Sequence, residues 1–123
     1  MAAGTRATGV DSDPLLIGNF TVAYTGGMDA TFTAIADPTR RALIDALRER
    51  NDSSLFDLCS RLMSVSGIAI SRQAVSKHVA VLEAAGLLSV RKTGRTNIHH
   101  LDTTRLAEVT AWLNAHTNTQ EEA

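Results

Sequence analysis

From about residue 29 onward apolar residues recur at helical spacing, and the rhythm is broken by punctuating residues that divide the chain into short amphipathic segments. Over 29–36 a short helix is predicted with Phe32, Ile35 and Ala36 on one side. Asp37 and Pro38 then stand where a helix opens: the Asp carboxylate accepts from a free N–H of the first turn, and proline has no N–H to lose. The segment 39–49 continues that helix with Leu43, Ile44 and Leu47 inward. Asn51-Asp52-Ser53 ends it and caps the next, in which Leu55, Leu58, Cys59 and Leu62 repeat at helical spacing to about Met63. SVSGIAI (64–70) reads as a connector. Ser71 caps a further helix whose buried stripe is Val75, Val79 and Leu82, and which stops at Gly86, a residue suited to the left-handed position after a helix end.

LLSVRK and TNIHHL then read as two strands around Thr93-Gly94-Arg95, a hairpin with a basic tip. Asp102 or Thr103 starts a last helix with Leu106, Val109 and Leu113 on one face and Trp112 beside it. The predicted order is helix, helix, helix, helix, strand, strand, helix: mainly α with a small β-hairpin. Before it, residues 1–27 hold five of the eight glycines and no helical period. They are expected to be an N-terminal extension, flexible or docked on a dimer, with LLIGNFTVAY (15–24) apolar enough to dock or pair as a strand. The folded domain is placed at 28–116 and a fraying tail at 117–123.

Composition narrows the class. A chain of 123 residues allows one small domain, and 44% hydrophobic with 20% charged residues is the balance of a soluble globular protein. With 4% aromatics the core must be aliphatic. A domain of this size buries a modest share of its surface, so a dimer that adds apolar burial is expected. No run approaches the roughly 18 apolar residues of a membrane span, and MAAGTRATG lacks the basic-then-apolar order of a secretion leader; a cytoplasmic location is the expectation. The single Cys59 cannot form an internal disulfide or, alone, a thiolate metal site. No cofactor is expected. No nucleophile–base pair, paired carboxylates or phosphate-cradling glycine loop occurs in a periodic context, which argues against an enzyme.

Charge changes the picture by its distribution. The net charge is −1, yet residues 71–100 carry Arg72, Lys77, Arg91, Lys92 and Arg95 against Glu83 alone, a local +4, between flanks of −2 (1–70) and −3 (101–123). Within that window the helix opened by Ser71 turns Gln73, Ser76, Lys77, Ala80 and Ala84 away from its buried stripe. A solvated face normally carries long Glu and Lys side chains in i,i+4 pairs. This one is short-sided around a cation, so a flat anionic partner can approach the backbone.

ADPTRRALIDAL (36–47), SRQAVSKHVAVLEAAGLL (71–88) and VRKTGRTNIHHL (90–101), in that order, resemble the ArsR family of bacterial winged helix-turn-helix repressors over about 29–116. The resemblance implies a homodimer, joined through first and last helices by Phe32, Ile35, Leu106, Val109, Trp112 and Leu113, on a two-fold symmetric operator. The helix at Ser71 would enter the major groove with its N-terminal turns foremost. Arg72 and Gln73 could reach base edges, since Arg pairs with guanine and Gln with adenine by two-pronged hydrogen bonds. Ser76, Lys77 and His78 would lie near phosphates, Ser71 at the helix start is a cap that could also contact a base, and Arg91, Lys92, Arg95 and Thr96 would touch backbone or minor groove.

The metal sites of such repressors are matched poorly. Their thiolate motif is a paired Cys on the helix before the connector, where SLFDLCSRL offers Cys59 alone, and soft metals need two or three sulfurs. Their second site uses an Asp-x-His pair. Here Asp102 is followed by Thr103 and Thr104, leaving His116 on the last helix, and His99 and His100 point to opposite faces of a strand. No metal is expected. The alternatives left open are a metal-responsive repressor using His100, Asp102 and His116 across subunits, and a winged helix that binds protein rather than DNA. The connector is longer than the usual family turn, and operator, effector and direction of regulation are not encoded in these residues.

Overall fold

The computed structural model describes residues 27–117. The extension with LLIGNFTVAY, Gly27 apart, and the tail beyond Thr117 lie outside the described residues. Five helices and three strands follow in order: α1 Met28–Ile35, α2 Pro38–Glu49, β1 Ser53–Ser54, α3 Leu55–Ser64, α4 Arg72–Ala84, β2 Leu88–Thr93, β3 Thr96–Leu101 and α5 Thr104–Thr117. This is a winged helix-turn-helix. The helices form where the amphipathic stripes predict them, and three N-caps are hydrogen-bonded: Arg40 N donates to Asp37 Oδ2 at 3.0 Å, Asp57 N to Ser54 Oγ at 3.1 Å and Ala74 N to Ser71 Oγ at 3.1 Å. Each satisfies one of the orphan donors of a first turn.

Four expectations are corrected. A short strand, β1, joins the sheet, which has the order β1-β3-β2 with both pairings antiparallel. Ser54, not Asn51-Asp52-Ser53, caps α3. Ser53 is spent in the ladder opposite His99, and Asn51 Oδ1 instead accepts from Leu101 N at 2.8 Å. The hairpin loop is two residues, because Thr93 pairs with Thr96. Gly94, at φ +64°, takes the first loop position, where a left-handed backbone suits the twist of the flanking strands. Finally, α1 buries Ala30, Thr31 and Ala34 rather than Phe32 and Ala36. Small side chains let that helix lie close to its neighbours, and Phe32 turns outward.

The core is aliphatic, as 4% aromatics require. Leu43, Leu47, Leu58, Leu62, Val75, Leu82 and Leu87 are completely buried in one cluster that joins α2, α3, α4 and the start of β2. Burying each such side chain contributes about 1.5–3 kcal/mol. Ile68 and Ile70 of the connector pack against the same cluster, which holds the longer turn in place. After α4, Gly86 at φ +81° lets Leu87 N reach Leu82 O at 2.9 Å and Gly86 N reach Glu83 O at 3.0 Å. That pair of bonds closes the helix and directs the chain into β2.

Candidate nucleic-acid interface

The Ser71 hydroxyl accepts from Ala74 N at 3.1 Å, so the side chain that opens α4 is engaged in capping. Immediately after it Arg72, Gln73, Ser76 and Lys77 are exposed along the first two turns, while Val75, Val79 and Leu82 seal the opposite face. Among the described residues Arg72 and Lys77 enter no ion pair, and neither do Lys92 or Arg95 on the hairpin. Ala80 and Ala84 continue the exposed face as methyl groups. The short-sided surface expected around Lys77 is therefore present, capped at the end where the free N–H groups attract anions.

Between this face and the hairpin runs an open cleft of about 340 Å³. Arg72 and Ser76 line it from α4, Arg95, Thr96 and Asn97 from the hairpin, and Phe56 from the first turn of α3. Among the described residues no carboxylate lines it. Two guanidinium groups, hydroxyls and an amide without a competing acid form a surface that attracts phosphate-like anions. His99 lies at the inner wall, 4% exposed, with its Nδ1 at 2.9 Å from Ser53 O. A carbonyl only accepts, so Nδ1 carries the proton and ties the hairpin to β1.

The cations expected to act together are divided. Lys92 is opposite Asn97 and, by strand alternation, on the His99 side of the ribbon, whereas Arg91 is opposite Ile98 on the other. There Arg91 Nη1 donates to Asp52 Oδ1 at 2.9 Å, and His100 Nδ1 lies 3.1 Å from the same oxygen. Hydrogen bonds from Arg91 and then His100 hold the Asp52 carboxyl below its ordinary value. Asp52 occupies a left-handed backbone position, φ +61°. His78 is half-buried and faces α2: its Nδ1 is 3.2 Å from Arg40 Nη1. Asp102 Oδ1, two residues before α5, accepts from Thr104 N at 2.9 Å, a hydrogen bond that depresses its carboxyl pKa.

Of the residues assigned to subunit contact, Val109 is 6% exposed within the chain, and Ile35 and Leu106 pack partly against the core. Phe32, Trp112 and Leu113 remain 37%, 44% and 46% exposed. Phe32 meets Trp112 edge to face with ring centroids 5.9 Å apart, joining α1 to α5 in one apolar patch. Cys59 is partly buried against the core. Among the described residues no three His, Cys, Asp or Glu side chains gather as a metal site, and no helix is long and apolar enough to cross a membrane.

Sequence reasoning missed Phe56, Asn97 and His99 at the cleft and the Arg40–His78 contact. Asn97 and His99 had a signal, since the alternation that buries Leu101 puts both on the same face of the strand. Phe56 signalled itself as an aromatic off the apolar stripe of α3. The partner of His78 lies 38 positions away, beyond any periodicity.

Comparison with known proteins places these features in context. Residues 35–91 match the helix-turn-helix domain family. The chain is 42% identical over 73 residues to the HTH-type transcriptional regulator YuzN of Bacillus subtilis, covering 59% of this chain and 79% of that one. It is 30% identical over 86 residues to the transcriptional repressor SdpR of the same organism, covering 70% and 88%. Among solved structures, an ArsR-like transcriptional regulator from Rhodococcus sp. RHA1 superposes with a TM-score of 0.61 at 28% identity, covering 84% of this chain and 85% of that one.

Proposed function

The chain belongs to the ArsR family of winged helix-turn-helix proteins and is a DNA-binding transcriptional regulator; from that premise we propose that it is a cytoplasmic, homodimeric repressor of a two-fold symmetric operator, without a metal requirement. The observation that carries the reading is the cleft between α4 and the hairpin, lined by Arg72 and Arg95 and, among the described residues, by no carboxylate, with Lys77 exposed on the same helix and in no ion pair among those residues. In this arrangement α4 enters the major groove. Arg72 and Gln73 read base edges, while Lys77, Lys92 and Arg95 hold phosphates of the two strands that border the groove.

Dimerisation through α1 and α5 is supported by the exposed Phe32, Trp112 and Leu113. Such a patch is costly to leave in water, and two-fold pairing would set two reading helices side by side on one face. Repression follows the named role of SdpR.

The test is footprinting on DNA upstream of the protein's own gene and on genomic fragments, repeated over a range of salt. The expected result is protection of two half-sites about one helical turn apart, weakening steeply with salt. Absence of any sequence-dependent, salt-sensitive protection overturns the proposal.

A further inference from the structure

The reading helix is held to the rest of the domain almost entirely by aliphatic packing. Val75, Val79 and Leu82 bury in the core shared with α2 and α3, which sets the face α4 turns inward but supplies no directional bond at its flank. Among the described residues one side-chain hydrogen bond links α4 to another element: Arg40 Nη1 to His78 Nδ1, 3.2 Å. A guanidinium only donates, so Nδ1 is the unprotonated acceptor and the imidazole proton sits on Nε2. Asp37 Oδ2 is 4.0 Å from the same nitrogen, too far for a hydrogen bond, and already accepts from Arg40 N.

The other nitrogens of Arg40 are committed elsewhere. Nε donates to Ala34 O at 2.7 Å and Nη2 to Thr33 O at 3.2 Å. These carbonyls belong to the last turn of α1, where Thr33 O also accepts from the capping Ala36 N at 3.3 Å, and a cation is favourable at that carbonyl-rich end. Arg41 adds a bond to Ile35 O at 2.8 Å but does not reach α4. Among the described residues Arg40 alone therefore hydrogen-bonds both the carbonyl end of α1, the helix that presents Phe32, and the side of the reading helix.

We propose that Arg40 and His78 are a positioning pair: the guanidinium, anchored on Thr33 and Ala34, sets the rotation of α4 about its axis and so the aim of Arg72 and Gln73, while His78 makes no DNA contact of its own. This rests on the DNA-reading role given to α4 above. It departs from the expectation that His78 lies against phosphate. The chemistry separates the two: a phosphate contact contributes equally on any sequence, whereas an aiming contact contributes only where base edges must be met.

The experiment uses the full chain and two duplexes, one recovered from genomic fragments by selection on the wild-type protein and one scrambled, with affinities read by fluorescence anisotropy and melting temperature measured alongside. His78→Leu keeps the packing and removes the acceptor. It is expected to lower the ratio of selected to scrambled affinity about tenfold, the scale of one lost charge-assisted hydrogen bond, with affinity for scrambled DNA changed less than about twofold. His78→Gln, whose amide oxygen can accept from Arg40, is expected to restore the ratio to within about threefold. Adding His78→Leu to Arg40→Ala should cost nothing further, because the shared bond is already gone. Equal losses on both duplexes, or an unchanged ratio, overturn the proposal while leaving the DNA-binding assignment intact. A wild-type protein that prefers no duplex overturns the reading role of α4, and the positioning pair with it. If Arg40→Ala does not fold, the contrast between Leu and Gln at position 78 decides alone.

Discussion

Lys77→Ala should change the salt dependence of DNA binding by a calculable amount. In the arrangement proposed above each protomer offers Lys77, Lys92 and Arg95 to phosphates, three cations that enter no ion pair among the described residues. Arg72 is aimed at a base, and Arg91 is held by Asp52 at 2.9 Å. A dimer then neutralises about six phosphates, and at about 0.9 per phosphate the slope of log K against log salt is near −5. Raising salt fourfold should weaken binding by roughly 10³. Lys77→Ala removes two of the six contacts and makes the slope shallower by about 2, so the same change of salt costs roughly tenfold less. Arg91→Ala is the internal control, since its guanidinium lies on the other face of the ribbon; its slope should stay close to wild type. Anisotropy titrations at five or six salt concentrations on a fixed duplex supply the slopes. An unchanged slope for Lys77→Ala, or an equal flattening by Arg91→Ala, refutes the division of cations derived from the structure.

Three further outcomes are expected. The Asp52 carboxyl is held low by Arg91 and His100, so the folded state binds its proton less readily than the unfolded chain. The resulting stability is present above the unfolded value and lost as pH falls through the folded one, below about pH 4. Asp52→Asn tolerates the left-handed backbone and should flatten that acid limb of the denaturant midpoint plotted against pH; an unchanged limb counts against the pairing. Leu62→Ala, at a completely buried site, should reduce unfolding free energy by about 2–5 kcal/mol in urea titration, and a loss under about 1 kcal/mol would show that the site collapses to fill the cavity. Trp112→Ala removes the ring that bridges Phe32 and His116, with centroids 5.9 Å and 4.3 Å away. Sedimentation at micromolar concentration should show a shift from dimer to monomer with the helical far-ultraviolet signal retained; a variant as dimeric as wild type would remove α1 and α5 from the interface.

The parts of this fold that were legible in the sequence are those set by neighbours a turn or two away. The stripe Val75, Val79 and Leu82, the caps at Asp37 and Ser71, and the stop at Gly86 each depend on residues within four or five positions, and periodicity reads that range. The strand at Ser53–Ser54 was hidden because two residues have no period and their partners lie 44 to 46 positions on. The inward face of α1 was misjudged because Phe32 outweighs Ala30 and Ala34 in any hydrophobic sum, while close approach of a helix favours the smaller side chains. In the candidate site, the identity of the exposed residues on α4 was readable from its face. How the cations are divided was not, because the Arg91–Asp52 bond is made across 39 positions between elements whose adjacency no local pattern states.

The two residues of β1 have a consequence for how the molecule meets its duplex. Ser53 pairs with His99 through the ladder and again through the imidazole, so the hairpin is riveted to the segment that leads into α3 and does not swing from its own base. Reading helix and hairpin tip then work as the fixed jaws of a gauge. Their separation is a property of the protein, and the DNA must supply the groove width that fits it. In the DNA-binding arrangement proposed above, sequences whose grooves resist that width would be rejected for the energy of deforming them, before Arg72 or Gln73 had tested a single base.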